Sequence, residues 1–173
     1  LDSYTSDTTA VIEVPLITKY DNASILLKPL RRGSININTS NPSAGPVINL
    51  GVLTNPVDLK INLEAYSSGY MASLGPIETS PGVDVVSDEA IIAWIHESVL
   101  PSATHPCGTA AMMAREVGGV GSDLLVHGVG GLSVVDASVM PLIPGTHFSA
   151  TVYAAAEKVS VSVVIEKCVA NEW

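Results

Sequence analysis

The chain is 173 residues long, 47% apolar and only 14% charged, with 17 acidic residues against 8 Lys and Arg and a net charge of −9. That length can bury a core of ordinary domain size, while the acidic balance and the lack of a basic stripe exclude nucleic acid and anionic membrane as partners. Charge this sparse falls below the about 25% usual for soluble domains, yet no apolar run reaches the roughly 18 residues of a membrane span. With mean hydropathy at +0.38, the surplus apolar surface is expected to meet a partner chain, a second copy or a ligand cavity. The plainer reading is a core rich in Val and Ala.

In chain order, residues 1–24 read as an irregular N-terminal segment, polar until Val11-Ile12-Glu13-Val14. Residues 25–173 read as a single domain. Ser24 to Ile37 suggests short strands broken at Arg31-Arg32-Gly33, and Ser34-Ile35-Asn36-Ile37-Asn38 alternates with period two. Asn41-Pro42 and Gly45-Pro46 mark a loop before Val47-Ile48-Asn49-Leu50. From Val57 to Ser73 the pattern predicts a helix, with Leu59, Leu63, Tyr66 and Tyr70 spaced by three and four. Ser87 predicts an N-cap, with Asp88 and Glu89 in the first turn and Ile91, Ile92, Trp94 and Ile95 behind. Pro101 closes that element. A Gly-rich stretch over 105–146 carries one strong β run, Leu132-Ser133-Val134-Val135-Asp136, and 148–169 reads as a closing helix free of Gly and Pro.

Short strands and three helices without βαβ alternation predict an α+β fold. Two glycine clusters, Gly119-Val120-Gly121-Ser122-Asp123-Leu124 and Gly128-Val129-Gly130-Gly131-Leu132-Ser133, start like a dinucleotide fingerprint but lack its third Gly. Neither opens a long helix after a strand, so a nucleotide phosphate would find no helix-terminal amides there. Cys107 and Cys168 form no CxxC pair and indicate no disulfide framework. Asn22-Ala23-Ser24 and Asn38-Thr39-Ser40 are N-glycosylation sequons, a hint of the secretory pathway.

The residues best suited to chemistry are His105, in His105-Pro106-Cys107-Gly108-Thr109, and His147, in Thr146-His147-Phe148. Histidine's ordinary pKa of about 6.5 lets one ring donate while another accepts. Thr104, Cys107, Thr146 and Phe148 flank the two histidines and, with Tyr66, Tyr70 and Trp94, are candidates for a substrate pocket. Aromatics at helical spacing are also ordinary core, and Cys107 fits a small buried filler. His127 sits in a turn-like Gly-rich stretch and His96 beside Glu97 on a helix, which suits structural and solvated roles. His105, Cys107 and His147 lack the tight spacing of a metal site, and none is expected.

The order of these motifs resembles the C-terminal part of the glucose–methanol–choline (GMC) oxidoreductases. It runs through the His105 motif, Met112-Met113, Val126-His127-Gly128-Val129, Val134-Val135-Asp136-Ala137-Ser138-Val139-Met140-Pro141, His147 and Ala156-Glu157-Lys158. Upstream, Leu27-Lys28-Pro29-Leu30-Arg31-Arg32-Gly33-Ser34-Ile35 is similar to the opening of that family's substrate domain, and Thr54-Asn55-Pro56-Val57-Asp58-Leu59 to its first helix. The resemblance implies an antiparallel sheet of about six strands flanked by helices. It also implies that His105 and His147 occupy the two active-site positions beside the flavin, where one takes the substrate hydroxyl proton as hydride leaves for FAD. Asp136 and Ala137 match flavin-contacting positions, whereas Ser133 stands where the family usually has Arg, and Gly121-Ser122 replace a common Val-Asp.

No flavin-domain fingerprint occurs in the 173 residues, and no side chain accepts a hydride. The expectation is therefore a stand-alone enzyme, FAD-independent, with the histidines doing acid–base work. Cyclisation, dehydration, isomerisation or a hetero-Diels–Alder reaction of a small phenolic or carbonyl-bearing secondary metabolite would suit them. The resemblance supports this reading, since non-redox members occur in fungal polyketide pathways. The alternatives are the substrate half of a split or truncated FAD-dependent alcohol oxidase, and a non-catalytic carrier. The apolar excess suits a homodimer or a separate flavin-domain chain as partner.

Overall fold

A computed structural model describes residues 10–14, 24–67 and 80–170. The chain forms two compact units, Leu1–Ala103 and Thr104–Trp173. The break falls inside the stretch 25–173 that the sequence suggests is one domain.

In the first unit, β1 (Ile12–Glu13) pairs antiparallel with β2 (Ile25–Leu26), and β3 (Ser34–Asn36) with β4 (Val47–Asn49). Helix α1 spans Pro56–Ser67 and α2 spans Asp88–Ser98. β1 falls within the segment expected to be irregular. Tyr70 and the end of the helix predicted to Ser73 lie outside the described residues.

Asn55 caps α1, its Oδ1 accepting from the Val57 amide at 2.9 Å. The expected apolar positions Leu59, Leu63 and Tyr66 are half-buried. A polar stripe at every fourth residue fastens the helix to the 24–31 stretch. The carboxylate of Asp58, 1% exposed, accepts from the Leu30 amide at 2.8 Å and the Arg31 amide at 2.9 Å. Asn62 Oδ1 accepts from the Ser24 hydroxyl, and the Tyr66 hydroxyl from the Ser24 amide, both at 3.1 Å. One face of α1 thereby satisfies backbone donors of the 24–31 stretch that have no sheet partner.

Helix α2 follows its predicted signals. Ser87 is the N-cap, its side chain accepting from the Ala90 amide at 3.2 Å, and Ile91 and Ile95, one turn apart, are buried. The helix ends at Ser98, before Pro101, whose carbonyl accepts from Arg31 Nη2 at 2.9 Å. Tyr66 and Trp94 meet edge to face with ring centroids 4.9 Å apart, joining α1 to α2.

The second unit is built around Val120, Leu124 and Val139, with Val126, Val134, Val135 and Val159 packed against them. A 3₁₀ turn covers Ala137–Val139, and α3 spans Ser149–Ala170. Gly119 passes so close to Ala110 that a Cβ would lie 2.8 Å from the Ala110 Cα. Gly128 and Gly131 take left-handed backbone, at φ 80° and 70°.

The expected six-stranded sheet is not formed by the described residues, whose named strands make two separate two-stranded sheets. Pro29, Pro42 and Pro46 bound the strands and cannot donate to a ladder. The run Leu132–Asp136, expected to be a strong β run, makes one isolated bridge, Leu125↔Ser133. Its neighbouring bonds are Val126 N–H to the Leu132 carbonyl at 2.8 Å and Val134 N–H to that of Leu124 at 3.1 Å. The Asp136 cap then turns the chain into the 3₁₀ element before a ladder can extend.

Candidate active site

His105 reaches its place through the backbone around it. From Gly108 onward the chain runs beside the 3₁₀ turn. The Gly108, Ala110 and Met112 amides donate to the carbonyls of Ala137, Ser138 and Val139 at 3.3, 3.0 and 2.8 Å. Left-handed residues bracket His105, with Thr104 at φ 60° and Gly108 at φ 84°. Gly108 adopts that conformation without penalty, but a β-branched Thr does so only under local strain. Strain of this kind concentrates at functional sites.

The other half of the site comes from the start of α3. The chain leaves the 3₁₀ turn, passes Pro141 and Pro144, and presents His147 and Phe148 just before Ser149 opens the helix; the Phe148 carbonyl accepts from the Val152 amide at 2.9 Å. Although 42 residues apart, Nδ1 of His147 and Nε2 of His105 are 2.9 Å from each other. The ring centroids are 4.9 Å apart, with planes at 62°. Phe148, 7% exposed, lies against His105 with centroids 4.8 Å apart and planes at 57°. The His105 ring is half-buried and that of His147 exposed.

Of the expected pocket residues, Phe148 is thus in contact with the pair. Cys107 is half-buried two residues from His105, and Thr104 and Thr146 are exposed beside the two histidines in sequence. Tyr66 and Trp94 contact each other in the first unit. His127, expected to be structural, has Nε2 3.0 Å from the Met113 carbonyl, and His96 is exposed on α2. No group of three His, Cys, Asp or Glu among the described residues could hold a metal ion. No described helix is long and apolar enough to cross a membrane.

Asp136 caps the 3₁₀ turn, with Oδ1 accepting from the Ser138 amide at 2.8 Å. Hydrogen bonds from Ser138, side chain first and backbone second, hold its carboxyl below the ordinary 3.8 against a small opposing effect of burial. What Asp136 and Ala137 can offer a planar group is their backbone, since the carboxylate is committed to the cap. Asp136 is exposed, and the bonds from the Gly108, Ala110 and Met112 amides tie the 3₁₀ turn that follows it to the His105 motif. The described residues supply no strand–glycine turn–helix for the phosphates of FAD.

Comparison with known proteins agrees with this architecture. The profile of the GMC oxidoreductase family matches residues 29–156. The chain belongs to the GMC oxidoreductases. A dehydrogenase of Emericella nidulans, xptC, is 39% identical over 140 residues, covering 76% of this chain and 22% of the relative. A dehydrogenase of Armillaria gallica is 42% identical over 138 residues, covering 75% and 21%. Among solved structures, a fungal aryl-alcohol oxidase superposes with a TM-score of 0.81 at 39% identity, over 95% of this chain and 29% of that one. An FAD-dependent oxidoreductase from Chaetomium thermophilum gives 0.72 at 36% identity, over 83% and 26%. The chain thus spans only about a fifth to a quarter of the curated GMC relatives it matches. The fold is that of the corresponding region of these enzymes.

Proposed function

We propose that this chain is the substrate-side part of a GMC alcohol oxidation, in which His105 and His147 take the substrate's hydroxyl proton. The observation that carries the reading is the 2.9 Å contact between Nδ1 of His147 and Nε2 of His105. Two imidazoles held in hydrogen-bond contact can both orient a hydroxyl and accept its proton, and such a base contributes about 10²- to 10⁴-fold to a rate. FAD, bound chiefly by polypeptide other than the described residues, would supply the hydride acceptor. Asp136 and Ala137 would form one wall against it. The relatives named as dehydrogenases and as an aryl-alcohol oxidase support an alcohol, and an aryl alcohol first, as substrate. Leu132, 50% exposed, and Leu142, 75% exposed, are apolar surface that a second body could cover and so keep water from the chemistry.

A second reading is favoured by Ser133, which replaces the family's usual Arg, and by the histidine contact lying wholly within the second unit. Acid–base chemistry needs nothing else, so the same pair would serve a flavin-free cyclisation, dehydration or isomerisation of a phenolic or carbonyl-bearing metabolite.

The test is to isolate the native protein from its source with all bound polypeptide, record its absorbance, and follow dye reduction with primary aryl alcohols. A flavin spectrum is expected, with alcohol-dependent reduction lost on His105→Ala or His147→Ala while the fold persists. A colourless, folded protein that oxidises no alcohol overturns the first reading. Turnover of a carbonyl substrate that depends on both histidines would then establish the second.

A further inference from the structure

The hairpin of β3 and β4, in the first unit, is a surface ribbon without charge. No Asp, Glu, Lys or Arg occurs from Gly33 to Val57, and all six residues of the two strands are exposed. Ile35 pairs with Ile48 in the register, and Ile37, directly after β3, is 77% exposed. Open strand edges are ordinarily shielded from other chains by charged side chains. This ribbon has none.

Asn38-Thr39-Ser40 opens the loop that joins the two strands. Asn38 Oδ1 accepts from the Ser40 amide at 3.2 Å and from the Asn41 amide at 3.1 Å, an Asx turn in which the side chain stands in for a backbone carbonyl. Two donors facing one end of the carboxamide fix that end as oxygen, since the NH₂ cannot accept. The NH₂ is therefore directed away from the turn, and Nδ2 makes no hydrogen bond among the described residues. The residues that follow are held by a second turn around Pro42, in which the Ala44 amide donates to the Asn41 carbonyl at 2.9 Å. Each of these bonds spans two or three residues, so the loop can take this shape before distant parts of the chain have folded. Asn38 itself is half-buried, whereas 39–49 is exposed throughout, which leaves the loop open to a bulky substituent.

We propose that Asn38 is an N-glycosylation site, with Nδ2 taking an oligosaccharide from a lipid-linked pyrophosphate donor. The sequon supplies the carboxamide and the hydroxyl at the required spacing, and the Asx turn leaves the nitrogen as the free end of that carboxamide. In the transfer one N–H bond breaks and its proton is released, while Nδ2 bonds to C1 of the first sugar. The C1–O bond to the pyrophosphate breaks, and its electrons leave on the phosphate oxygen. Nothing is oxidised or reduced. Oδ1 is untouched, so the turn survives the modification. The sugar hydroxyls then hydrate a ribbon that has no charges of its own. In the other sequon, Ser24 is already engaged, its hydroxyl donating to Asn62 Oδ1 on α1 at 3.1 Å.

The test uses the protein isolated from its source. Trypsin cuts after Arg32 and Lys60, and the Gly33–Lys60 peptide carries Asn38 in its one sequon, with Asn22 on a different peptide. Mass spectrometry is run before and after treatment with an amidase that removes N-linked glycans in heavy-oxygen water. A sugar-bearing Gly33–Lys60 peptide is expected, converted by the amidase to one with a labelled aspartate at position 38. Ser40→Ala, produced in the same source, removes the hydroxyl but keeps the amide that donates to Asn38. The sugar-bearing peptide should disappear in this variant while the thermal unfolding midpoint stays within the range of ordinary surface changes. A native peptide found only with unmodified Asn38 overturns the assignment, and so does a sugar that survives Ser40→Ala. Neither readout involves alcohol turnover or the histidines, so the proposed function stands or falls separately.

Discussion

Replacing Asp58 should damage the first unit more than any change on its surface. Its carboxylate is 1% exposed and accepts two backbone hydrogen bonds, 2.8 and 2.9 Å long, from Leu30 and Arg31. Hydrogen bonds to a charged group contribute about 1.5–3 kcal/mol each. Asp58→Ala loses both and leaves two amides in half-buried surroundings. It also removes a negative charge from the first turn of α1, worth about 0.3–1 kcal/mol. Water reaching the half-buried amides offsets part of this, so the expected loss is about 3–4 kcal/mol, a large share of the roughly 5–15 kcal/mol that holds a domain folded. Asp58→Asn keeps one acceptor oxygen but turns an NH₂ toward the other amide, and should lose about 2–3 kcal/mol. The assay is urea denaturation followed by fluorescence. The sequence has two tryptophans, so a Trp173→Phe background leaves Trp94, 4.9 Å from Tyr66, as the reporter. The expected order of stability is wild type, then Asn, then Ala. A loss below about 1 kcal/mol in Asp58→Ala, within the range of ordinary surface changes, would refute the view that this carboxylate anchors the 24–31 stretch to α1.

Two smaller perturbations concern the second unit. Thr104→Gly removes a side chain from a left-handed position at φ 60°. It should leave stability unchanged or raise it by up to about 1 kcal/mol in thermal denaturation, and a clear loss would mean that Thr104 is not strained. Asp136 has a depressed carboxyl pKa, so its contribution is complete above the unfolded value near 3.8 and disappears as pH falls through the lower folded value. Asp136→Asn should therefore flatten the stability–pH curve below about pH 4 while costing about 1 kcal/mol or less at neutral pH. An unchanged acid limb would show that the cap is not coupled to folding.

The parts of the fold that were legible in the sequence are those fixed by local rules. Ser87 with Asp88 and Glu89 predicts a helix start because a hydroxyl and two carboxylates satisfy or complement exposed amides over a few residues. The stripe Asp58–Asn62–Tyr66 was missed because a buried polar face has no hydrophobic period. Its signal was the every-fourth-residue spacing of three hydrogen-bonding side chains after a capping Asn, beside a neighbouring segment lacking sheet partners. The Leu132–Asp136 run misled for a related reason. β-branched residues state a preference for extended backbone, but a ladder also needs a partner of equal length, and Asp136 turns the chain into a 3₁₀ element first.

The candidate site was legible as two motifs and not as a geometry. His105-Pro106-Cys107-Gly108-Thr109 and Thr146-His147-Phe148 pointed to the residues, but no local rule relates a loop to a helix start 42 positions later. The link is made by the backbone bonds from Gly108, Ala110 and Met112 to the 3₁₀ turn, together with the short return through Pro141 and Pro144. Every component of that link lies between Thr104 and Thr151, within the second unit. The contact between the two histidines therefore lies within this unit. The two readings of its function consequently share their proton chemistry and differ only in what receives the electrons. If alcohol is oxidised, the electrons of the C–H bond leave as hydride to a flavin; in a cyclisation or dehydration they stay in the substrate. A search for substrates should accordingly vary the electron acceptor first and hold the hydroxyl-bearing group constant.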